Sequence, residues 1–250
     1  MNSLAVGGII FVCIFGGAML GTLVRSLLPD HHLSGDSKDV LKLSMGLIGT
    51  MAALVFSLLI ASAKQSYDMR ANEVMQASAN VVVLDRLLRH YGTETQEIRE
   101  TLRRTLAFAI DQLWSDERPF RQQLEPPPGA DAMYMRVMEL SPRTDAQHSI
   151  QGQALSLAAT LGQTRWLLAG QQKTSMPLPF LIALVLWLTI IFGSFGVLVK
   201  RNPTVVGAML LCALCFSSAF VLILELSRPF EGMLQVSSAP LKAALVQLSH

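Results

Sequence analysis

Three cysteines are the first residues of this chain whose type could support chemistry. Cys212 and Cys215 have the C-x-x-C spacing of a redox or metal pair, but no histidine and no second cysteine pair stands near them in the sequence. Both residues, like Cys13, lie inside apolar runs rather than in exposed loops. The position of the cysteines in apolar runs therefore favours small buried side chains over a disulfide or a metal site.

A histidine pair is the second candidate. His31 and His32 stand beside Asp30 and Asp36, which is a combination that could hold a surface metal ion. A solvated polar loop explains the same residues better. The chain contains no H-E-x-x-H, G-x-S-x-G, P-loop or glycine-rich dinucleotide motif. We therefore predict no catalytic residues, no metal site, no cofactor and no enzymatic activity.

The third candidate is an acid–base pair in "LILELSRPFEGM", residues 222–233. Glu225 and Arg228 are three positions apart, so one helical turn would bring them together as a charge pair. Pro229 predicts the end of the helix, Phe230 is expected at the depth of the lipid headgroups, and Gly232 permits a turn. We interpret these five residues as a structural joint that could also couple a membrane helix to its neighbours.

The composition of the chain points to a membrane. Of its 250 residues, 51% are hydrophobic and 15% are charged, with a mean hydropathy of +0.43. Soluble domains carry about 25% charged residues. The net charge of +2 is too small, and the basic residues too scattered, to indicate nucleic acid. The lipid bilayer is therefore the expected partner.

Four apolar runs are long enough to cross the bilayer as helices. A span needs about 20 residues, and the four runs contain no charged residue. They cover residues 4–24, 43–63, 178–199 and 204–224. Because Arg25 follows the first run directly and no basic segment precedes it, we interpret this run as a retained anchor.

The order of apolar and charged segments predicts an all-α protein with four transmembrane helices in two hairpins and a hydrophilic helical insert between the second and third. Asn202 and Pro203 would cap and open the fourth helix. The predicted domains are a first transmembrane hairpin (1–63), the insert (64–176), a second transmembrane hairpin (177–226) and a C-terminal corner with an amphipathic helix (227–250).

Heptad spacing identifies the insert as helical. Tyr67, Val74, Val81 and Leu88 recur every seven residues, which gives one apolar stripe for helix packing. No helix breaker occurs between the second span and Tyr91, so we expect that span to continue into the insert. After Gly232, the last apolar pattern predicts a short helix at the lipid interface or beneath the bundle.

Glycines mark the expected contacts between membrane helices, which associate in lipid by close packing of small residues. Gly17 and Gly21 form a small-xxx-small pair in the first span, and Gly46 and Gly49 lie in the second. These contacts could form within one subunit or between subunits. A pore would require several copies, since four helices enclose little space.

The tail "ELSRPFEGMLQVSSAPL" (225–241) resembles the C-terminal signature of the bacterial bestrophin-like membrane family. The segments "LIGTMAALVFSLLIASA" and "SYDMRANEVMQASANVVVLDRLL" resemble the family's second span and its continuation. The family commonly has a second acid before the arginine, where this chain has Ser227. The resemblance implies distant kinship with bestrophins, which are pentameric anion channels with four spans per subunit.

Two functions follow from these expectations. The first is an oligomeric ion channel or channel-like protein, a homo-oligomer with an inorganic anion as the permeant species. The second is a non-conducting membrane scaffold or signalling anchor that binds a partner through its insert. The resemblance also implies a multi-pass protein of the bacterial inner membrane with insert and termini in the cytoplasm. Basic residues are divided almost evenly between the two faces, so they do not decide the orientation.

Overall fold

The computed structural model describes residues 3–27, 35–114, 130–171, 178–199, 202–230 and 232–248. Within these ranges the secondary structure is helical and contains no strand, as the sequence predicts. The helices are α1 (Ser3–Leu27), α2 (Gly35–Tyr91), α3 (Gln96–Trp114), α4 (Ala130–Met138), α5 (Asp145–Gln171), α6 (Leu178–Leu198), α7 (Pro203–Leu226) and α8 (Ala239–Gln247), with a 3-10 turn at Thr93–Thr95.

Among the described residues, four helices are long and apolar enough to cross a membrane, which agrees with the predicted number of spans. They are Ser3–Leu27, Asp39–Tyr91, Pro179–Leu198 and Pro203–Leu226. The second is part of α2, a single helix of 57 residues, so the span does continue without a break into the region predicted as the insert.

Close contacts divide the chain into two compact units. The first unit comprises Met1–Ser66 and Ser175–Arg228, and the second comprises Tyr67–Thr174 and Pro229–His250. Each unit has a hydrophobic core of its own.

The core of the first unit is built from α1, α6, α7 and the first part of α2. Its most buried side chains include Ile14, Leu184 and Phe220, each at most 1% exposed. Aromatic rings tie α2 to α7, because Phe56 lies edge-on to Phe220 with ring centroids 5.2 Å apart. Such pairs are favourable beyond the area they bury.

Local capping explains where α7 begins. The side chain of Asn202 accepts a hydrogen bond from the Thr204 amide, and Pro203 occupies the first turn, where a missing N–H costs nothing. Both features confirm the sequence prediction.

The core of the second unit follows the heptad stripe of α2. Val74, Val81 and Leu88 are at most 5% exposed, and Tyr67 is packed against them. The amphipathic helix α8 completes this core with the buried side chains of Leu241 and Ala244, and Leu248, which follows the helix, is buried beside them. Its apolar face is therefore covered by protein rather than placed at a lipid interface.

A buried glutamine closes the end of α4. The side-chain amide of Gln151 on α5 donates to the carbonyl groups of Val137 and Leu140, both at 2.9 Å. The last carbonyls of a helix have no partner within it. Gln151 thus satisfies groups that would otherwise be buried without a hydrogen bond.

Candidate functional site

The described residues contain no group of three or more histidine, cysteine, aspartate or glutamate side chains that could hold a metal ion. Cys13, Cys212 and Cys215 are free thiols, and all three are exposed on the outer surface of the first unit rather than buried as predicted. The exposure of the cysteines could not be predicted from the sequence, because an apolar run does not show which of its faces contacts other helices. The pair His31 and His32 lies outside the described residues.

Helices α1 and α6 approach each other most closely at glycines. A Cβ atom at Gly21 would collide with the backbone carbonyl of Gly193, and one at Gly17 would lie 2.6 Å from the Cγ2 atom of Thr189. A Cβ atom at Gly196 would in turn meet the carbonyl of Ala18. Two of the four glycines singled out from the sequence therefore line a backbone-to-backbone contact within one protomer.

A second contact joins α1 to α7. The hydroxyl of Ser217 donates a 2.6 Å hydrogen bond to the carbonyl of Gly7, at a site where Ser217 is 8% exposed. A Cβ atom at Gly7 would collide with Val221. A hydroxyl that bonds across helices adds a directional contact to close packing in lipid.

Gly46 and Gly49 behave differently from the glycines of α1. A Cβ atom at either position would meet no other atom within 4 Å. Within the protomer these glycines therefore make no close helix contact, although they too lie in an apolar run.

Gly46 belongs to a line of small residues on α2, which we call the open stripe. Its members are spaced by three or four residues, so they share one face of the helix. The open stripe consists of Gly46, Thr50, Ala53, Ser57 and Ala61, all of which are exposed. Thr50 donates its hydroxyl proton to the carbonyl of Leu47 at 2.8 Å, which leaves the oxygen able to accept a further hydrogen bond.

A neighbouring face of α2 carries bulky side chains instead. Leu47, Leu54 and Leu58 are 66%, 72% and 67% exposed, as expected for residues that contact lipid tails. Only 17% of the most apolar window of α2 is buried inside the protomer, compared with 33% for α1. The second span is therefore the least covered of the four, and its open stripe differs in chemistry from the lipid-facing surface beside it.

The joint predicted from the sequence begins at the end of α7. The Ser227 hydroxyl donates to the Ile223 carbonyl at 2.8 Å, and the Arg228 amide donates to the Glu225 carbonyl at 3.0 Å. Helix α7 ends at Leu226, and Pro229 has no amide proton with which the pattern could continue. Glu225 is 6% exposed, whereas Arg228 is exposed. Direct pairing of the two charged groups stays a prediction.

A tight corner follows within the second unit. The Val236 amide donates to the Pro229 carbonyl at 2.6 Å, which closes the segment into a loop. Gly232 has φ +83°, a conformation that residues with a Cβ rarely adopt. The indole of Trp114 then donates to the Val236 carbonyl at 2.7 Å. The glycine predicted to permit the turn is thus held in the backbone conformation that requires it.

Phe230 is buried in the core of the second unit. Its ring packs edge-on against Trp114, with centroids 5.5 Å apart, and it is 7% exposed. An aromatic residue after a membrane helix can pack in a protein core as well as among lipid headgroups, and the expected headgroup depth of Phe230 stays a prediction. Nothing in the local sequence distinguishes the two environments.

An ion-pair network that sequence reasoning missed ties α2 to α3. The carboxylate of Asp85 is 5% exposed and accepts hydrogen bonds from Arg99 at 2.7 Å and 3.3 Å. Arg89, one turn further along α2, donates to the same carboxylate at 3.2 Å. The spacing of Asp85 and Arg89 was a usable signal, but the partner on α3 could not be read from periodicity.

Exposed charges on α3 form a separate group. Arg103 donates a hydrogen bond to Glu100 that holds the pKa of this carboxyl below its ordinary value, and Arg104 adds to the effect. Partial desolvation acts in the opposite direction. These side chains are solvated and surround no cavity, so we assign them no site.

A family model of the bestrophin-like domain matches residues 12–241. The chain therefore belongs to the bestrophin-like family, as the tail motif indicated, and it carries the apolar helices of a membrane protein. No curated protein matches the chain.

Two crystal structures of a bacterial bestrophin homologue from Klebsiella pneumoniae, each with one substitution to threonine, resemble the chain. The first has a TM-score of 0.59 at 13% sequence identity and covers 96% of this chain and 97% of that chain. The second has a TM-score of 0.56 at 14% identity and covers 94% and 97%. At these identities the likeness shows the fold alone.

Proposed function

We propose that the chain is the subunit of a homo-oligomeric anion channel in the bacterial inner membrane. The observation that carries this proposal is the open stripe of α2. A span surrounded by lipid has no reason to expose small and hydroxyl-bearing residues along one face while it exposes leucines along another. Small and hydroxyl-bearing residues do suit a face that lines a water-filled path or contacts a second copy of the chain.

A path through one protomer has little room, because four helices enclose little space and the described ones pack around buried side chains. Several copies arranged around an axis would bring their α2 helices together. Gly46 and Gly49, which have room around them, would then permit close approach between copies, and the hydroxyls of Thr50 and Ser57 would face the enclosed space. Bestrophin kinship supports the choice of an inorganic anion as the permeant species.

A bulky residue in the open stripe tests this function. In liposomes loaded with purified protein, we expect Ala53→Phe to reduce chloride flux about tenfold or more, since about 1.4 kcal/mol of added barrier is sufficient. The matched control is Leu54→Phe, because Leu54 is 72% exposed on the lipid-facing surface. Equal flux through both variants, or no flux through a wild-type oligomer, would argue against a pore lined by α2.

The proposed channel subunit also has a defined arrangement in the membrane. We infer two transmembrane hairpins, 1–63 and 177–226, with the insert 64–176 between them and the corner 227–250 after them. The insert and both termini lie in the cytoplasm in this arrangement, as in the bestrophin topology. A reporter fused after His250 that is active only in the cytoplasm checks the orientation, and activity only outside it would reverse the assignment.

Within this architecture, the joint of Glu225, Arg228, Pro229, Phe230 and Gly232 couples the fourth span to the insert. The hydrogen-bonded corner and the buried Phe230 support this role. We expect Arg228→Ala to lower the Tm of the solubilised protein by about 2–4 °C, the change that about 1 kcal/mol produces in a chain of this size. Lys242→Ala, which removes an exposed charge from α8, is the control. Indistinguishable Tm values and oligomer sizes would contradict the coupling role.

The alternative function is a non-conducting scaffold or signalling anchor. It is favoured by an apolar surface on α4, where Tyr134, Met135 and Met138 are 39% to 48% exposed. Methionine-rich surfaces adapt to varied partners. Crosslinking from position 135 in cells distinguishes the two functions: a reproducible foreign partner together with the absence of flux would favour the scaffold.

A further inference from the structure

A cleft with basic walls lies in the second unit, beside the ion pairs of Asp85 with Arg89 and Arg99. Its volume is about 190 Å³, and it is formed by α2 and the end of α8. The lining residues are Val82, Asp85, Arg86, Arg89, Gln247 and Leu248. None of them belongs to the charge-free apolar run of α2 (43–63), to the open stripe or to the tail joint.

The charges around the cleft do not balance. Arg86 and Arg89 line the cleft together with a single carboxylate, that of Asp85, which is also paired with the guanidinium group of Arg99. Both oxygens of this carboxylate already accept hydrogen bonds from Arg99, and one also accepts from Arg89. Both oxygens of Asp85 are thus engaged, and these four side chains together carry an excess of two positive charges.

Arg86 is the group that the fold leaves unused. Its side chain is exposed, and none of the described residues forms an ion pair or side-chain hydrogen bond with it. Arg86 and Arg89 are three positions apart on α2, so their Cβ atoms are about 5–6 Å apart on one side of the helix. The carbonyl ends of α2 and α8 oppose an anion here, but each contributes only about half a negative charge. The excess of two positive charges exceeds the sum of these two partial charges.

We propose that this cleft is a binding site for a small phosphate-bearing anion. Guanidinium groups present paired N–H donors that match the oxygens of a phosphate, and two of them line one wall. The amide of Gln247 can donate from the opposite wall, and Val82 and Leu248 supply apolar sides. Drug-sized ligands occupy about 300–1,000 Å³, so the volume suits free phosphate or a small phosphomonoester.

Calorimetric titration of the full chain in lipid nanodiscs tests the site, with inorganic phosphate as the probe and sodium chloride used to keep the ionic strength constant. We expect saturable binding. Arg86→Gln removes a charge that makes no ion pair with the described residues, so the variant should fold. Its Kd for phosphate should rise at least about tenfold, because one charge-assisted hydrogen bond is lost. Arg86→Lys should recover part of the affinity.

The matched control is Arg104→Gln, because Arg104 is 74% exposed on α3 and pairs with Glu100 away from the cleft. Its affinity for phosphate should equal that of the wild type. A second titration with glycerol 3-phosphate identifies the source of the group: binding of both probes extends the site to phosphomonoesters, and binding of phosphate alone limits it to the free ion. The proposal fails if the wild type gives neither saturable heat nor a phosphate-dependent rise in Tm, or if Arg86→Gln binds as well as Arg104→Gln.

Discussion

Gly21→Ala is expected to abolish the folded protomer or to lower its Tm far more than any other single methyl group added to α1. The Cβ of alanine would occupy the position of the Gly193 carbonyl on α6. Overpacking in a core costs about 1–3 kcal/mol when side chains can move aside. At Gly21 the obstacle is backbone, so we expect a cost of about 3 kcal/mol or more.

The matched control is in the same helix. Gly16 has nothing within 4 Å of an added Cβ, so Gly16→Ala should leave the protein unchanged or slightly more stable through the lower flexibility of alanine. Size-exclusion profiles and thermal unfolding in detergent provide the readout. Similar profiles for the two variants would show that α1 and α6 do not meet at Gly21.

Asp85→Ala is the second large effect, and it should destabilise the second unit by about 3 kcal/mol, the lower end of the cost of breaking a buried ion pair. The lower end applies because the Arg99 side chain is 24% exposed, so water can partly compensate its charge. The residue removed is a carboxylate that is 5% exposed and that joins two helices.

A double-mutant cycle with Arg99→Ala separates the ion pair from the packing of either side chain. If the two side chains stabilise the protein only as a pair, Asp85→Ala should lower the free energy of unfolding by much less in the Arg99→Ala background than in the wild type. Glu100→Ala is the control for loss of an acid from the same region, since its partners Arg103 and Arg104 are exposed. Additive effects in the cycle would rule out a joint contribution from Asp85 and Arg99.

Features encoded locally could be predicted from the sequence. The four spans follow from uninterrupted apolar length, the continuous α2 from the absence of a breaker before Tyr91, and the start of α7 from Asn202 and Pro203. Each depends on residues that are neighbours along the chain.

Features decided by tertiary partners could not be predicted in the same way. Gly21 and Gly46 have the same local character, yet one touches a backbone and the other lies open, because a small residue permits contact without requiring it. Phe230 packs in a core against Trp114, which is distant in sequence, and Asp85 pairs with Arg99 on another helix. Only the fold determines these partners.

The hydrogen bond between Trp114 and Val236 has a consequence for how the protein is made. The two residues are 122 positions apart, and ribosomes add about 5–20 residues per second. The second core therefore lacks its closing helix for on the order of ten seconds, while the last two apolar helices are still being synthesised. During that interval the surface that α8 will cover is exposed, so chaperone binding and proteolytic loss should act mainly before the final segment emerges.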